Sequence, residues 1–409
     1  MRKLSLSIVL IFSVLFSIAQ TTDSSSVYSN IATKLMNSDS RLTIGGYGEV
    51  HYNQSLNSDV KNLGKLDVHR MVMLFGYKFN ERTKFVTELE FEHVKEVYVE
   101  QAFLDYRINS FLNLRAGLML VPMGIVNEYH EPTTFFGVER PLIDGAIAPT
   151  TWREIGIGLT GNIASASFKY QAYVMNGFNG YTLDDGGKFK GSNGLRSGRQ
   201  KGAESYMSSP TIAARAEYYG IRGLNIGASG YFGKSQSELF GGIDMANDSL
   251  VAIADSSVIN IAMLGIDARY TFEGLYVRGQ FYLTKLGNTD QYNTFTAKIK
   301  TDAVTGVKTN EGLGNTMIGY YAEVGYNVLK TTSYKSELIP FIRYSNYNMH
   351  ASVENGFSKN KAYNINAITA GIGWKMARGA MFKADMQFYK NEATDEYSKT
   401  INAGVAVMF

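Results

Sequence analysis

The last ten residues constrain the fold of this chain more than any other stretch. Thr400-Ile401-Asn402-Ala403-Gly404-Val405-Ala406-Val407-Met408-Phe409 alternates apolar with small or polar residues and stops on a terminal aromatic. At the two-residue period of a strand, Ile401, Ala403, Val405, Val407 and Phe409 share one face, and Asn402, Gly404 and Ala406 share the other. A strand of this kind ending on Phe is the way outer-membrane β-barrels close, so the expectation is a sheet closed on itself.

The opposite end carries an export pattern. Arg2 and Lys3 give a positive start, Leu4 to Phe16 is apolar apart from three serines, and Ser17-Ile18-Ala19 supplies small residues for cleavage before Gln20. The apolar run is short for a span of about 20 residues and is followed at once by polar sequence, which favours a signal peptide over an anchor. The expected division is a signal peptide at 1–19, a Ser/Thr-rich periplasmic leader at 20–40 with a short helix near 27–36, and a barrel at 41–409. With no cysteine, the chain has neither disulfides, a thiolate metal site nor a lipoprotein anchor.

No second long apolar run follows, which excludes helical spans. Yet 45% of residues are hydrophobic, and Tyr, Phe and Gly number 27, 23 and 41, a richness that fits the other spanning structure, a closed barrel. Barrel sequences look only mildly apolar because lumen-facing residues alternate with lipid-facing ones. The formal net charge of +3 includes two charges that leave with the signal, so the mature chain is nearly neutral and no nucleic-acid partner is expected.

Alternating segments near 41–53, 66–79, 83–93, 96–108, 111–120, 152–161, 166–176, 210–219, 223–233, 257–272, 274–286, 315–329, 335–347, 363–376, 380–390 and 399–409 predict about sixteen antiparallel strands. Every second connection is short, as at Asn80-Glu81-Arg82, Asn109-Ser110 and Ala377-Arg378-Gly379, while most others are long: 54–65, 121–151, 177–209, 234–256, 287–314 and 348–362. Short periplasmic turns and long outer loops are the asymmetry of such barrels, and an even strand number leaves both termini on the periplasmic side.

The charges fall on one face of each strand. In 83–93, Phe85, Leu89 and Phe91 oppose Glu88, Glu90 and Glu92; in 264–272, Leu264, Ile266, Ala268 and Tyr270 oppose Asp267 and Arg269. A charge facing lipid at mid-membrane costs about 2–4 kcal/mol, so the charged face points inward and the lumen is expected to be wet. The expected pore lining is Arg70, Arg107, Arg115, Arg215, Arg269, Arg278, Lys383, Glu88, Glu90, Glu92 and Glu100, together with Glu49, Asp105 and Glu217. Opposed acidic and basic walls would set a transverse field across such a lumen. Tyr47, Tyr52, Phe79, Tyr106, Tyr218, Tyr231, Tyr270 and Tyr344 fit interfacial girdles. The glycines of Ile44-Gly45-Gly46-Tyr47-Gly48 suit barrel bending and close packing at a protomer contact, and lack the helix and Lys of a phosphate-binding loop.

One block has a recognisable order. Leu114-Arg115-Ala116-Gly117-Leu118, Val121-Pro122-Met123-Gly124, Glu139-Arg140-Pro141 and Arg153-Glu154-Ile155-Gly156-Ile157-Gly158-Leu159-Thr160-Gly161 together resemble the phosphate-selective porin O and P family, with its Bacteroidetes-type outer-membrane porins. The resemblance implies a 16-stranded trimeric channel whose third outer loop folds into the lumen. The sequence independently marks that loop, since 121–151 holds Pro122, Pro132, Pro141 and Pro149, four of the chain's six prolines, which stiffen a non-strand excursion. The chain departs from the family in mixing acidic with basic lining residues, so phosphate selectivity does not carry over.

Within that loop Glu128, His130, Glu131, Glu139 and Arg140 are the expected constriction residues. Glu128, His130 and Glu131 contain metal-ligand types, but a single His among carboxylates in a loop is unspecific and no metal site is assigned. Glu49 and His51 could form an acid–base pair, yet no Ser sits in a nucleophile elbow, so no catalytic residue and no cofactor are nominated. The expectation is a non-enzymatic outer-membrane porin, homotrimeric, surrounded by outer-membrane lipid and passing small polar or ionic solutes. The alternatives are a structural or adhesive barrel binding partners through its outer loops, and a barrel hydrolase.

Overall fold

The structure, a computed structural model, describes residues 30–56, 61–297, 299–301, 308–354 and 358–409. The signal segment 1–19 and the first half of the leader, 20–29, lie outside the described residues. Sixteen strands form one closed barrel, each bonded to the next in chain order and the last to the first. They are β1 Leu42–Ser55, β2 Lys65–Lys78, β3 Thr83–Glu92, β4 Glu96–Arg107, β5 Asn113–Leu120, β6 Arg153–Ile163, β7 Phe168–Met175, β8 Thr211–Ile221, β9 Leu224–Lys234, β10 Asn260–Phe272, β11 Leu275–Gly287, β12 Thr316–Tyr326, β13 Glu337–Ser352, β14 Asn364–Ala377, β15 Ala380–Asn391 and β16 Ser398–Met408. All sixteen expected strands are present. The clearest change in extent is β13, which continues to Ser352 and shortens the loop expected from 348. No described helix is long and apolar enough to cross a membrane.

The period-2 pattern places each side chain. In β8, Thr211, Ala213, Arg215, Glu217 and Tyr219 are buried while Ile212 and Tyr218 are exposed; in β16, Asn402 and Ala406 are buried while Ile401, Val405 and Val407 are exposed. Around the barrel the exposed set includes Ile157, Ile226, Ile266, Val324, Ile342 and Ile372. An apolar exterior this continuous has no place in water and faces lipid.

Closure rests on the seam between β1 and β16, paired from Tyr47 with Met408 to Ser55 with Thr400. Beyond the last strand residue, the Phe409 N–H donates to the Gly46 carbonyl at 2.9 Å and the Gly46 N–H to the Phe409 carbonyl at 3.1 Å. A Cβ at Gly46 would lie 2.7 Å from the Phe409 ring and 2.7 Å from the Val72 carbonyl oxygen, so this seam requires glycine there. The close approach served by the glycine run is therefore within the chain.

Two irregularities break the alternation. Glu49 pairs with Arg70 but Val50 pairs with Val68, leaving His69 as an extra residue in β2. Likewise Glu88 pairs with Gln101 and Leu89 with Val99, leaving Glu100 as an extra residue in β4. These are β-bulges, which re-aim a side chain and let successive residues serve one face.

The interior is only partly the wet lumen expected from the charges. Trp152, Phe178, Phe189, Tyr231, Met263, Tyr282, Tyr292 and Met317 are fully buried in a contiguous apolar cluster that joins loop residues to the inner wall. Two residues expected in the girdles belong inside as well. Tyr47 is 1% exposed and donates to Glu88 at 2.6 Å, and Tyr231 is fully buried and donates to Glu154 at 2.8 Å. Phe79, Tyr106, Tyr218 and Tyr344 are exposed, as a girdle requires.

The described part of the leader forms one short helix, α1 Ile31–Met36, capped by Asn30, whose side chain accepts from the Thr33 N–H. Ile31 and Ala32 are buried, the Ile31 N–H donates to Glu131 at 2.7 Å, and Lys84 donates to the Met36 carbonyl. The helix is thus docked against the barrel wall and the long loop after β5, near the short-turn end.

Ile266 sits at the middle of β10 on the exposed face. Ile266→Arg is expected to destabilise the lipid-embedded barrel by about 2–4 kcal/mol, read by urea titration in liposomes. The same measurement on Ser229→Thr, an inward position, should show a much smaller change.

Candidate functional site

The strand register sets the electrostatics of the inner wall. Glu49 lies directly across from Arg70, and Arg70 Nε donates to Glu49 Oε1 at 2.5 Å, with Glu90 4.0 Å from its Nη1. Asp105 faces Arg115, with 2.9 Å between them. Arg215 reaches Asp267 at 2.6 Å and Glu217 at 3.2 Å, and Glu217 also accepts from Arg269 at 2.8 Å. Arg278, Glu323 and Arg343 stand in one row across β11, β12 and β13, with ion pairs of 2.8 and 2.6 Å. Buried charges survive only when paired, and cross-strand neighbours are the nearest partners available. Acidic and basic residues therefore alternate around the wall in place of the opposed walls expected from the sequence.

The segment between β5 and β6 is tied to this inner face. Its base is closed by Asn127, which donates to the carbonyls of Val121 at 2.7 Å and Trp152 at 2.9 Å and accepts from the Trp152 N–H at 2.9 Å. Further along, Arg70 donates to the His130 carbonyl, Arg278 to the Thr134 carbonyl at 2.7 Å and Lys383 to the Gly137 carbonyl at 3.0 Å. The Val138 N–H donates to Asp385 at 2.7 Å, and Asp144 accepts from Gln280 at 2.5 Å and from Tyr282 at 3.1 Å. Anchors on β2, β11 and β15 hold the segment to widely separated strands.

The structure separates the three residues weighed from sequence as a metal set. Glu128 is held by Gln171 at 2.5 Å and lies 3.5 Å from Arg215, while Glu131 accepts from Ile31 of α1. His130 turns the other way, accepting or donating at Tyr47 Oη at 2.7 Å, with Glu100 and Glu88 at 3.5 and 3.6 Å. Burial pulls the His130 pKa down, but the Glu100 and Glu88 carboxylates outweigh it and push it up to about 10. His130 is therefore a buried cation set among two carboxylates.

These contacts link into one tract along β1–β5. Glu139, with a 41% exposed side chain, contacts His51 at 3.2 Å; His51 contacts Glu49 at 3.1 Å; Glu49 binds Arg70, which holds the His130 carbonyl. His130 is beside Glu88 and Glu100, and Gln101 next in the strand lines a cavity of about 390 Å³ with Asp105, Arg115, Glu128 and α1. That cavity is bordered by Arg82, Ser110 and Asn162 at the short turns, so it lies at the periplasmic end, and the half-exposed side chains of Glu139, Glu92 and His93 lie at the other. Arg140, 18% exposed, stands 3.9 Å from Glu49 on the same path.

Each remaining lining residue has its place. Arg115, Arg215, Arg269 and Lys383 are on the inner face, and Arg278 is there at 10% side-chain exposure. Arg107 is at the rim, exposed and donating to the Glu81 carbonyl at 2.8 Å, because its strand ends there. Sequence reasoning missed Glu323 and Arg343, which the alternation of β12 and β13 already placed opposite Val324 and Ile342. It also missed His69, whose inward aim depends on a bulge that no alternation pattern reveals.

No family model matches this chain. An uncharacterized protein of Aquifex aeolicus (strain VF5) is 31% identical over 387 residues, covering 92% of this chain and 82% of that one. This chain belongs to that protein's family. Among solved structures, Salmonella typhi OmpF in complex with daunomycin is similar at a TM-score of 0.55 and 12% identity, covering 90% of this chain and 97% of that one. The anion-selective porin of Comamonas acidovorans gives 0.53 and 12%, covering 90% and 99%. OmpT of Vibrio cholerae in its trimer form gives 0.51 and 11%, again covering 90% and 99%. The shared feature is the barrel. Together with the lipid-facing exterior, it makes the protein an outer-membrane β-barrel with the fold that these porins share.

The His130 arrangement yields a pH prediction. Because its pKa is raised, the stability it adds is complete below its ordinary value of 6.5 and is lost as pH rises through about 10. Fluorescence of Trp152, at the loop base, should report loosening with a midpoint near pH 10 in a Trp374→Phe background. His130→Asn should abolish that transition and, by leaving two buried carboxylates unpaired, cost about 3–5 kcal/mol at neutral pH.

Proposed function

We propose that this protein is a diffusion porin in which small polar or ionic solutes follow the charged tract between β1–β5 and the 121–151 segment. One observation carries the reading: a chain of ionised side chains joins an exposed outer end to a cavity at the periplasmic end. Charged atoms along it, among them Arg70 Nη1, Glu100 Oε1 and Glu128 Oε2, have no hydrogen bond within the protein. Such atoms are costly unless water reaches them, which supports a hydrated path. The apolar cluster around Trp152, Phe178 and Tyr231 fills part of the interior and narrows the space left for a path.

In this reading the 121–151 segment is the constriction. Arg70, Glu49, His130 and Arg140 form its narrowest part, Glu139 stands at the outer entrance, Glu128 faces the inner cavity, and Glu131 ties the segment to α1 beside it. The mixed lining suits dipolar and ionic solutes of either sign, with no row of arginines to favour phosphate. Kinship with the phosphate-selective porin O and P family remains part of the proposal, carried by the motifs between Leu114 and Gly161. A homotrimer is proposed on the same footing, supported by the likeness to a barrel solved in a trimer form. The adhesive and hydrolase readings have no comparable observation behind them.

Single-channel recording of the mature protein in a planar bilayer tests the proposal. Stable open steps are expected, and folded protein without current would overturn the reading. Removing both members of the central pair, Glu49→Ala with Arg70→Ala, should raise unit conductance because bulk leaves the narrowest part while the net charge of the wall is unchanged. Glu90→Gln with Glu92→Gln should move the reversal potential in a KCl gradient towards anion preference; an unmoved potential would place the ion path elsewhere.

A further inference from the structure

Three of the chain's five histidines converge at the outer end of the tract. His51 and His69 stack with ring centres 4.6 Å apart and planes 11° from parallel, and His93 meets His69 edge-on at 5.4 Å. Asp67 lies between two of them: its Oδ2 is 2.8 Å from His93 Nδ1 and 3.3 Å from His69 Nδ1. We propose that Asp67, His69 and His93 form a binding site for a borderline divalent transition cation of the Zn²⁺ or Cu²⁺ type.

The donor set decides the class of ion. Two imidazole nitrogens and one carboxylate oxygen suit zinc and copper, whereas magnesium and calcium require oxygen ligands in greater number. The three donor atoms lie within 4.8 Å of one another. Bonds to zinc of about 2.0–2.1 Å in a tetrahedron put neighbouring donors about 3.3 Å apart, so small side-chain shifts suffice. The His69 side chain is 28% exposed, Asp67 14% and His93 34%, which leaves an approach for the ion and an open position for water. Glu92, with an oxygen 4.0 Å from His93 Nε2, stands where an outer partner of a ligating imidazole belongs.

The backbone builds this convergence by two separate departures from regular structure. The bulge in β2 turns His69 to the face that carries Asp67 and Arg70. The turn after β3 puts His93 in the left-handed region, at φ 52°, and its N–H donates to the His69 carbonyl at 3.3 Å. With Arg70 inward, regular alternation would have sent His69 to lipid beside Met71.

Isothermal titration of the mature protein in detergent with ZnCl₂ tests the proposal. One ion per chain is expected, and CaCl₂ should give no comparable binding. His93→Gln and Asp67→Asn, each confirmed folded by heat-modifiable gel migration, should weaken Zn²⁺ by more than the ~10–100-fold that loss of an outer-shell partner costs. Glu96→Gln, which neutralises a nearby half-buried carboxylate bonded to Tyr98 and offering no ligand, should leave affinity unchanged. Zinc affinity indifferent to both ligand substitutions, or equal affinity for Ca²⁺, would overturn the site and reduce the cluster to hydrogen-bonded histidines. Because binding is measured without current, the result stands apart from whether the barrel conducts.

Discussion

In lipid no water is present to pair a free backbone group, and the fold depends on that constraint. An open sheet of sixteen strands would leave two edges unpaired, each costing several kcal/mol per exposed group. The β1–β16 seam abolishes both edges, and Phe409 extends it past the last strand residue by exchanging two hydrogen bonds with Gly46. Closure then forces the division of surfaces. Once each strand has one face to lipid, the apolar parity must lie outside and everything ionic must lie inside.

That division creates a second problem, which is how to house many charges in a confined interior. The register solves it locally: Glu49 with Arg70, Asp105 with Arg115, and Glu323 between Arg278 and Arg343 are pairs that antiparallel neighbours can make without distortion. Where no partner strand suffices, the 121–151 segment supplies one, as His130 does for Glu88 and Glu100. The segment and the wall therefore stabilise each other. The wall charges are satisfied partly by loop carbonyls, and the loop is fixed by wall arginines and Lys383.

The strand count and the inward faces were legible because they rest on a period of two and on turn lengths, both local properties of sequence. Arg215, Glu217 and Arg269 needed nothing more. What alternation could not disclose were the places where it is broken or overridden. The bulges at His69 and Glu100 each shift a side chain to the opposite face, and nothing in Val68-His69-Arg70 or Glu100-Gln101 signals the extra residue. Tyr47 and Tyr231 fit the girdles in sequence because an inward aromatic in a strand looks the same there as an interfacial one. The loop that buries them is distant along the chain. The same holds for the apolar interior around Trp152, which is assembled from loops whose contacts span the whole barrel.

The interior is consequently divided between apolar packing and paired charge. Apolar packing among Trp152, Tyr231, Phe178 and Met263 fills space without offering hydrogen bonds to a solute or to water. The ionic rows, Glu49 with Arg70, Arg215 with Asp267 and Glu323 between Arg278 and Arg343, hold the groups that cannot be left dry. In the proposed channel, a solute shedding part of its hydration shell would find replacement partners at such rows, among them Glu139, Arg140, Glu49, Arg70 and His130 along β1–β5. If solutes pass along β1–β5, the irregular backbone at His69 and Glu100 lies on their route, because both bulges turn polar side chains to that stretch of the inner face.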